Sequence, residues 1–338
     1  MLLQSEKTSP PSRAQRGFRP RQVHFIAQNV PLLLAVFILV GTLLLYCGLF
    51  YVNQHRLPAN FEITSIVNNS LPLALAAVGQ TMVVFTGGID LSVGGMIDLA
   101  NGLAAINMQN NPASIVEWSV IILLVGAAGG LLNGLFVVFG RLQPILVTLA
   151  TLSIYQGIAI RVLPSPGGAV PPALTTILTN PAAPTGLIPL AVLIGLWLLF
   201  KRTPLGIGIF AIGNDEQAAR ANGVPVMVTK LGAYVLGGML AALAGLFLAA
   251  TTTSGDATAG NVFTLTSIAA TVLGGVSLMG GRGSAMGAIA GAFILTVLIN
   301  VLFFASINPL YQSFYQGLFL ILAVVISSLV GVYLRRRR

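Results

Sequence analysis

Charge is the scarcest property of this sequence. Only 7% of its 338 residues are charged and 56% are hydrophobic, whereas an ordinary soluble domain is about 25% charged. That excludes a water-soluble globule and predicts an integral membrane protein. Cysteine is nearly absent: Cys47 alone cannot build an intrachain disulfide framework or a cysteine metal site. His24 and His55 are separated by an apolar span and do not make a metal pair. Lysine is confined to Lys7, Lys201 and Lys230, and no G-x-x-x-x-G-K-S/T string occurs, so no ATP hydrolysis is expected on this chain. The pairs Gly206-Ile207-Gly208 and Gly281-Arg282-Gly283 lack the strand-to-helix setting of a nucleotide fingerprint. No nucleophile–base pair or metal-ligand cluster stands out, which leaves a membrane enzyme without support.

What the sequence does hold is glycine, 38 residues of it, set among apolar runs near 20 residues in length rather than the roughly 10-residue alternating strands of a barrel. The runs fall at about 31–52, 66–86, 91–108, 118–139, 144–162, 187–200, 230–253, 265–281, 284–305 and 312–334. They predict an all-α membrane protein with about ten transmembrane helices, some broken by Gly. Residues 1–22, basic and Pro-containing, are expected to be a disordered cytoplasmic arm. Residues 23–334 form one polytopic domain, and 335–338 a basic tail.

Net charge is +9, but the basic residues sit in short loops and at the ends, not along one face. That pattern sets topology and does not call for a nucleic acid. With a cytoplasmic amino terminus, every Lys and Arg except Arg56 and Arg161 falls inside, so both termini are predicted to be cytoplasmic. The two longest connections are an uncharged Pro-rich outer loop, 163–186, and an inner loop, 201–230. The outer loop is expected to cap a pathway or meet a partner. Segment 265–281 suits either a span or a re-entrant loop.

The stretch Thr86-Gly87-Gly88-Ile89-Asp90-Leu91-Ser92-Val93-Gly94-Gly95 places a carboxylate on a glycine-rich hinge inside apolar sequence. Broken backbone at membrane depth survives only where protein or a water-filled cavity surrounds it. Asp90 therefore either lines a pathway or, with Ser92, caps the helix that follows a break at Gly87-Gly88. In either case it is expected to fix hinge geometry rather than to grip solute. Asp90 and Asp98 would share a face only if the helix were continuous. Gly274 and Gly275 open a second interrupted stretch that runs to Ser284. Gln80, Asn101, Asn107, Tyr155, Gln156 and Asn300 are candidates either for lining a route or for hydrogen bonding between helices.

Within the inner loop, Asn214 to Gly223 is predicted to be a short capped helix outside the bilayer. Asn214 would accept from the first-turn amides, Asp215 and Glu216 suit its positive end and Arg220 its other end, and Gly223 stops it before Pro225. Such a helix is either a solvated connector or a peg for a soluble partner.

At this point the chain resembles the transmembrane permease subunits of bacterial sugar ABC importers, the ribose/xylose/galactoside type, over roughly residues 65–330. The likeness rests on Gly79-Gln80-Thr81 with Thr86 to Gly94, on Asn133-Gly134, on Pro144 to Thr151 and on Gly213 to Gly223. It continues through Ser254-Gly255, Thr258 to Gly260 and Ile268 to Ser284. Departures fall at Asp98, at Thr264 and Thr266, and at Gln156. The resemblance implies that Asn214, Asp215, Glu216, Ala218, Ala219, Arg220 and Gly223 couple to an ATP-binding subunit. Gln80, Gly87, Gly88, Asp90, Ser92, Gly94, Gly274 and Gly275 then serve hinge and pathway. It also implies a permease homodimer, an extracytoplasmic sugar-binding protein, contact with membrane lipid, and a bacterial inner-membrane location. No cofactor is implied on this chain, since ATP and Mg belong to the partner subunit. An ion-coupled secondary transporter, or an ABC permease for branched-chain amino acids or nucleosides, is the alternative.

Overall fold

A computed structural model describes residues 21–180 and 182–308, then residues 310, 311, 314, 315, 317–319, 321, 322 and 325, with side chains from residue 30 onward. The predicted arm, most of the 312–334 segment and the 335–338 tail lie outside the described residues. The chain divides into two compact units, Met1–Val30 and Pro31–Arg338, and the contacts below all lie within the second.

Among the described residues the fold is helical, with one isolated backbone bridge and no named strand. In order, the helices are α1 (Arg21–Gln54), α2 (Asn60–Phe85), α3 (Val93–Asn107), α4 (Pro112–Val138), α5 (Pro144–Val162) and α6 (Pro172–Leu178). They continue with α7 (Leu187–Phe200), α8 (Pro204–Asn214), α9 (Glu216–Ala221), α10 (Val226–Thr252), α11 (Asn261–Leu273) and α12 (Ala285–Phe304). Proline opens α4, α5, α6 and α8, where its missing N–H is no loss. Asn111 and Thr203 accept amide hydrogens from Ser114 and Gly206 and so cap α4 and α8.

Six of these helices are long and apolar enough to cross a membrane, or up to seven if α7 and α8, bent by 73°, make one span. Three of the ten predicted segments fold as short helices: α3 has 15 residues, α7 has 14 and α11 has 13. At 1.5 Å per residue each is about 20 Å long, less than a hydrocarbon core of about 30 Å. The segment drawn at 265–281 is therefore α11 followed by a glycine-rich turn. The inner loop 201–230 is also corrected, because its first half is an apolar helix, α8.

Close approach of helices explains much of the glycine. On α4, a Cβ at Gly130 would collide with the Tyr234 carbonyl of α10, and one at Gly126 would lie 2.5 Å from the Gly238 carbonyl oxygen. Small residues let backbones meet where lipid supplies no hydrophobic drive for association. α10 packs on α2, α3 and α4 together.

The Pro-rich loop is ordered across one end of this bundle. Gly167 and Gly255 exchange amide hydrogen bonds of 2.9 and 2.8 Å, Ala169 N–H donates to Ala105, and Val170 N–H to Thr253. The Thr175 and Thr179 hydroxyls, from α6 and its end, donate to the Ala250 carbonyl of α10.

Candidate functional site

The hinge begins where α2 ends. Thr86 and Gly87 take i−3 bonds to Val83 and Val84, and Gly87 adopts φ +81°, the left-handed conformation that stops the helix. Asp90, 2% exposed, accepts from both the Ser92 amide at 2.8 Å and the Ser92 hydroxyl at 2.6 Å through one oxygen. Ser92 is the N-cap residue of α3 but makes no side-chain bond to that helix. Its hydroxyl instead accepts from Asn133 Nδ2 of α4 at 2.8 Å, and Asn133 Oδ1 accepts from the Thr151 hydroxyl of α5 at 2.7 Å. Thr148 Oγ1 accepts from the Leu91 amide and donates back towards the Ile89 carbonyl. The Gln80 amide, turned to satisfy both ends, donates to the Asp90 carbonyl at 2.8 Å and accepts from its N–H at 3.2 Å.

Three helices, α2, α4 and α5, thus clamp one seven-residue turn with buried polar groups, each with a partner, which is the condition for keeping such groups out of water. Asn133, Thr148 and Thr151 fall within the motifs Asn133-Gly134 and Pro144 to Thr151 that carry the family resemblance, but sequence reasoning gave none of them a role; the structure places them around the turn.

Asp98 is not paired with Asp90. It lies inside α3, wholly buried, and one carboxylate oxygen accepts from the Gly260 amide beyond α10, while the other has no partner. Gly94, one turn earlier, packs against Gly260 and the Thr264 hydroxyl. Asn101 accepts from the Asp256 amide at 2.7 Å, and Tyr155 donates to the Gly129 carbonyl at 2.9 Å. The Asn107 and Asn300 amides bond within their own helices. These last two are local bonds, and none of the four links is a contact with a solute.

At the end of α2 three elements converge. Gly281 N–H, in the turn between α11 and α12, donates to the Phe85 carbonyl at 3.1 Å, filling one of the acceptors a helix leaves open at its end. Asn214 Nδ2, at the end of α8, donates to the Gly281 carbonyl at 3.0 Å and to Phe210 at 2.8 Å. Gly213 has no room for a Cβ between Phe85 and Gly281. The Phe85 ring lies 4.3 Å from that of Phe210 and 6.0 Å from that of Trp197. Gly274 packs directly on Gly287 of α12, while Gly275 and Gly88 meet Pro31 and the Tyr234 hydroxyl.

α9 follows after a single extended residue. Asp215, not Asn214, caps it, because only Asp215 leaves helical geometry (φ −163°, ψ 108°), and its carboxylate accepts from the Ala218 amide at 2.9 Å. Asn214 is still the last residue of α8. At the other end Gly223 (φ +82°) forms a left-handed stop, with Gly223 N–H to Arg220 and Val224 N–H to Ala219. Glu216 pairs with Arg220 at 3.5 Å and with Lys230 of α10 at 2.7 Å. Ala219 is buried with Ile212 and Val226 in a small cluster that seats α9. Ala218 is exposed. Between α9 and the α4–α5 connection lies a cavity of about 580 Å³ that reaches Gly87, Gly88 and Arg141.

A helical membrane bundle with a clamped hinge above an exposed, capped peg is of the permease type. Residues 62–324 match the family described as branched-chain amino acid transport system / permease component, and the chain belongs to that family. It is similar to the ribose import permease protein RbsC of Haemophilus influenzae, 32% identical over 284 residues that cover 80% of this chain and 86% of the relative. RbsC of Bacillus subtilis is 33% identical over 292 residues, again 80% and 86% of the two chains. The autoinducer 2 import system permease protein LsrC of Klebsiella pneumoniae is 37% identical over 303 residues, covering 86% of each. No solved structure matches the chain.

Proposed function

We propose that this chain is the membrane-spanning permease subunit of an ATP-binding cassette importer in a bacterial inner membrane. It translocates a monosaccharide-like solute delivered by an extracytoplasmic binding protein. The observation that carries this reading is the family match over residues 62–324, together with relatives above 30% identity that are named as import permeases.

In this reading ATP and Mg act on a partner subunit, and this chain brings only the peg α9 and the bundle. Two copies form the conduit, and both termini face the cytoplasm. α3 and α11 count among ten passes as short helices completed by their glycine turns. The turns at 86–92 and 274–284 then share the inner end with α9 and the end of α8, while the 163–186 loop faces the binding protein. A partner can shift the bundle between outward- and inward-facing states only through differential affinity for the two, about 5.5 kcal/mol for a switch from 1:99 to 99:1. The docked peg is where that energy enters.

The test is reconstitution in liposomes with the ATP-binding subunit and the soluble binding protein. ATP-dependent uptake of a pentose or hexose is expected only when all three are present. Sustained uphill uptake by this chain alone, powered by an ion gradient, would overturn the reading. The family's own description gives one competing cargo, a branched-chain amino acid. Competition of labelled sugar uptake by unlabelled leucine, isoleucine or valine would favour it.

A further inference from the structure

We infer that Gly213 and Asn214 are positioning residues that carry motion of the docking helix into both glycine turns at once, and do not form part of the docking surface. This rests on the reading of α9 as the partner's docking site.

α9 has two flanks of different character. On one, the cavity of about 580 Å³ separates Glu216 and Arg220 from Arg141 and Leu142 in the α4–α5 connection. A void transmits no push, because its walls lack contacts across the gap. On the other, α9 is one residue from α8, and the end of α8 is packed backbone against backbone. Gly213 fits only because it has no Cβ, and Gly280 and Gly281 press on the same point: a Cβ at Gly280 would lie 3.0 Å from the Phe85 oxygen and 3.1 Å from Gly87 N. Close-packed interfaces of this kind are bistable and do not deform continuously.

Two hydrogen bonds in series cross the junction. Asn214 Nδ2 donates to the Gly281 carbonyl, and Gly281 N–H donates to the Phe85 carbonyl. Among the described residues the first is the only side-chain hydrogen bond from the 201–230 segment to the 274–284 turn. Past Phe85 the chain enters the Thr86–Ser92 turn, which Asn133, Thr148 and Thr151 hold to α4 and α5. Past Gly281 it enters α12 at Ser284. A displacement of α8 and α9 therefore moves the end of α2 and the start of α12 together, before it reaches the α4–α5 connection.

The test measures three quantities on the reconstituted importer: binding of the ATP-binding subunit, ATP hydrolysed, and sugar moved per ATP. Asn214→Ala removes the donor, Asn214→Asp sets an acceptor against the Gly281 carbonyl, and Asn214→Gln keeps an amide. Asn214→Ala and Asn214→Asp are expected to bind the subunit as the unmodified chain does, yet to move about tenfold less sugar per ATP, within the usual range of coupling between sites. Asn214→Gln should restore part of the loss. An unchanged ratio in Asn214→Ala overturns the proposal, and so does loss of subunit binding in step with transport.

Glu216→Arg checks the underlying reading separately, since unchanged subunit binding there means that α9 is not the dock. Hydrogen exchange over residues 278–284 in the unmodified complex needs no variant. Protection that changes when nucleotide is added is the expected result, and protection indifferent to nucleotide refutes the relay.

Discussion

Between α2 and α3 the chain turns through Thr86–Ser92, and between α11 and α12 through Gly274–Ser284. Both turns start at a glycine with nearly the same backbone angle, Gly87 at φ +81° and Gly275 at φ +82°, and they touch through Phe85 and Gly281. Their means of support differ. The first turn is held by side chains, with Asp90, Ser92, Gln80, Asn133, Thr148 and Thr151 supplying every buried link. The second is held mainly by close backbone packing, Gly274 against Gly287 and Gly283 against Val276, with the Asn214 amide bonded to the Gly281 carbonyl. Irregular backbone inside a membrane must have its polar groups satisfied. One turn imports polar groups to do so, while the other strips away bulk until backbones satisfy each other. The first should tolerate added volume and fail on loss of polarity, and the second should do the reverse.

The largest expected effect breaks the second turn. Gly287→Leu places a side chain where the Gly274 carbonyl sits, and should cost about 3 kcal/mol or more of stability as overpacking, measured as a lowered Tm in detergent. Next comes Asn133→Ala at the first turn, which removes the amide that links the Ser92 and Thr151 hydroxyls while leaving them their bonds to Asp90 and to the α5 backbone, and should cost about 1 kcal/mol in the same assay. A matched pair then isolates the surroundings from the angle. Gly87→Ala meets open space, whereas Gly275→Ala collides with Pro31 in the same left-handed conformation. Gly87→Ala should cost about 1 kcal/mol from backbone conformation alone, and Gly275→Ala clearly more; equal losses would show that packing plays no part. Smallest of all is Asp90→Asn. The amide oxygen can still accept from Ser92, so sugar uptake should stay within about twofold, a change of about 0.4 kcal/mol. A collapse of uptake at normal protein level would restore the charge itself to the mechanism.

The helices were legible because long apolar runs punctuated by Pro and Gly have few other solutions. The predicted 144–162 and 187–200 segments coincide with α5 and α7. The hinge and the stop at Gly223 were equally visible, since left-handed glycine is a local property. What escaped was of two kinds. α8 was hidden because its eleven residues, set behind Lys201 and Arg202, are too few to read as a span, so it passed for loop beside the charged stretch. The shift of the cap from Asn214 to Asp215 turns on which residue leaves helical geometry, and that is decided by the Asn214 bond to Gly281, 67 positions away. The clamp of Asn133, Thr148 and Thr151 joins residues up to 59 positions from the turn they hold, and no periodicity connects such distances.

α10 is attached at both of its ends. Its first turns carry Lys230, bonded to Glu216 on the peg, and its last turn offers the Ala250 carbonyl to Thr175 and Thr179 of the Pro-rich strap. Twenty residues separate the two attachments within this proline-free helix, a rod of about 30 Å. A load on the strap and a load on the peg therefore haul on opposite ends of the same shaft.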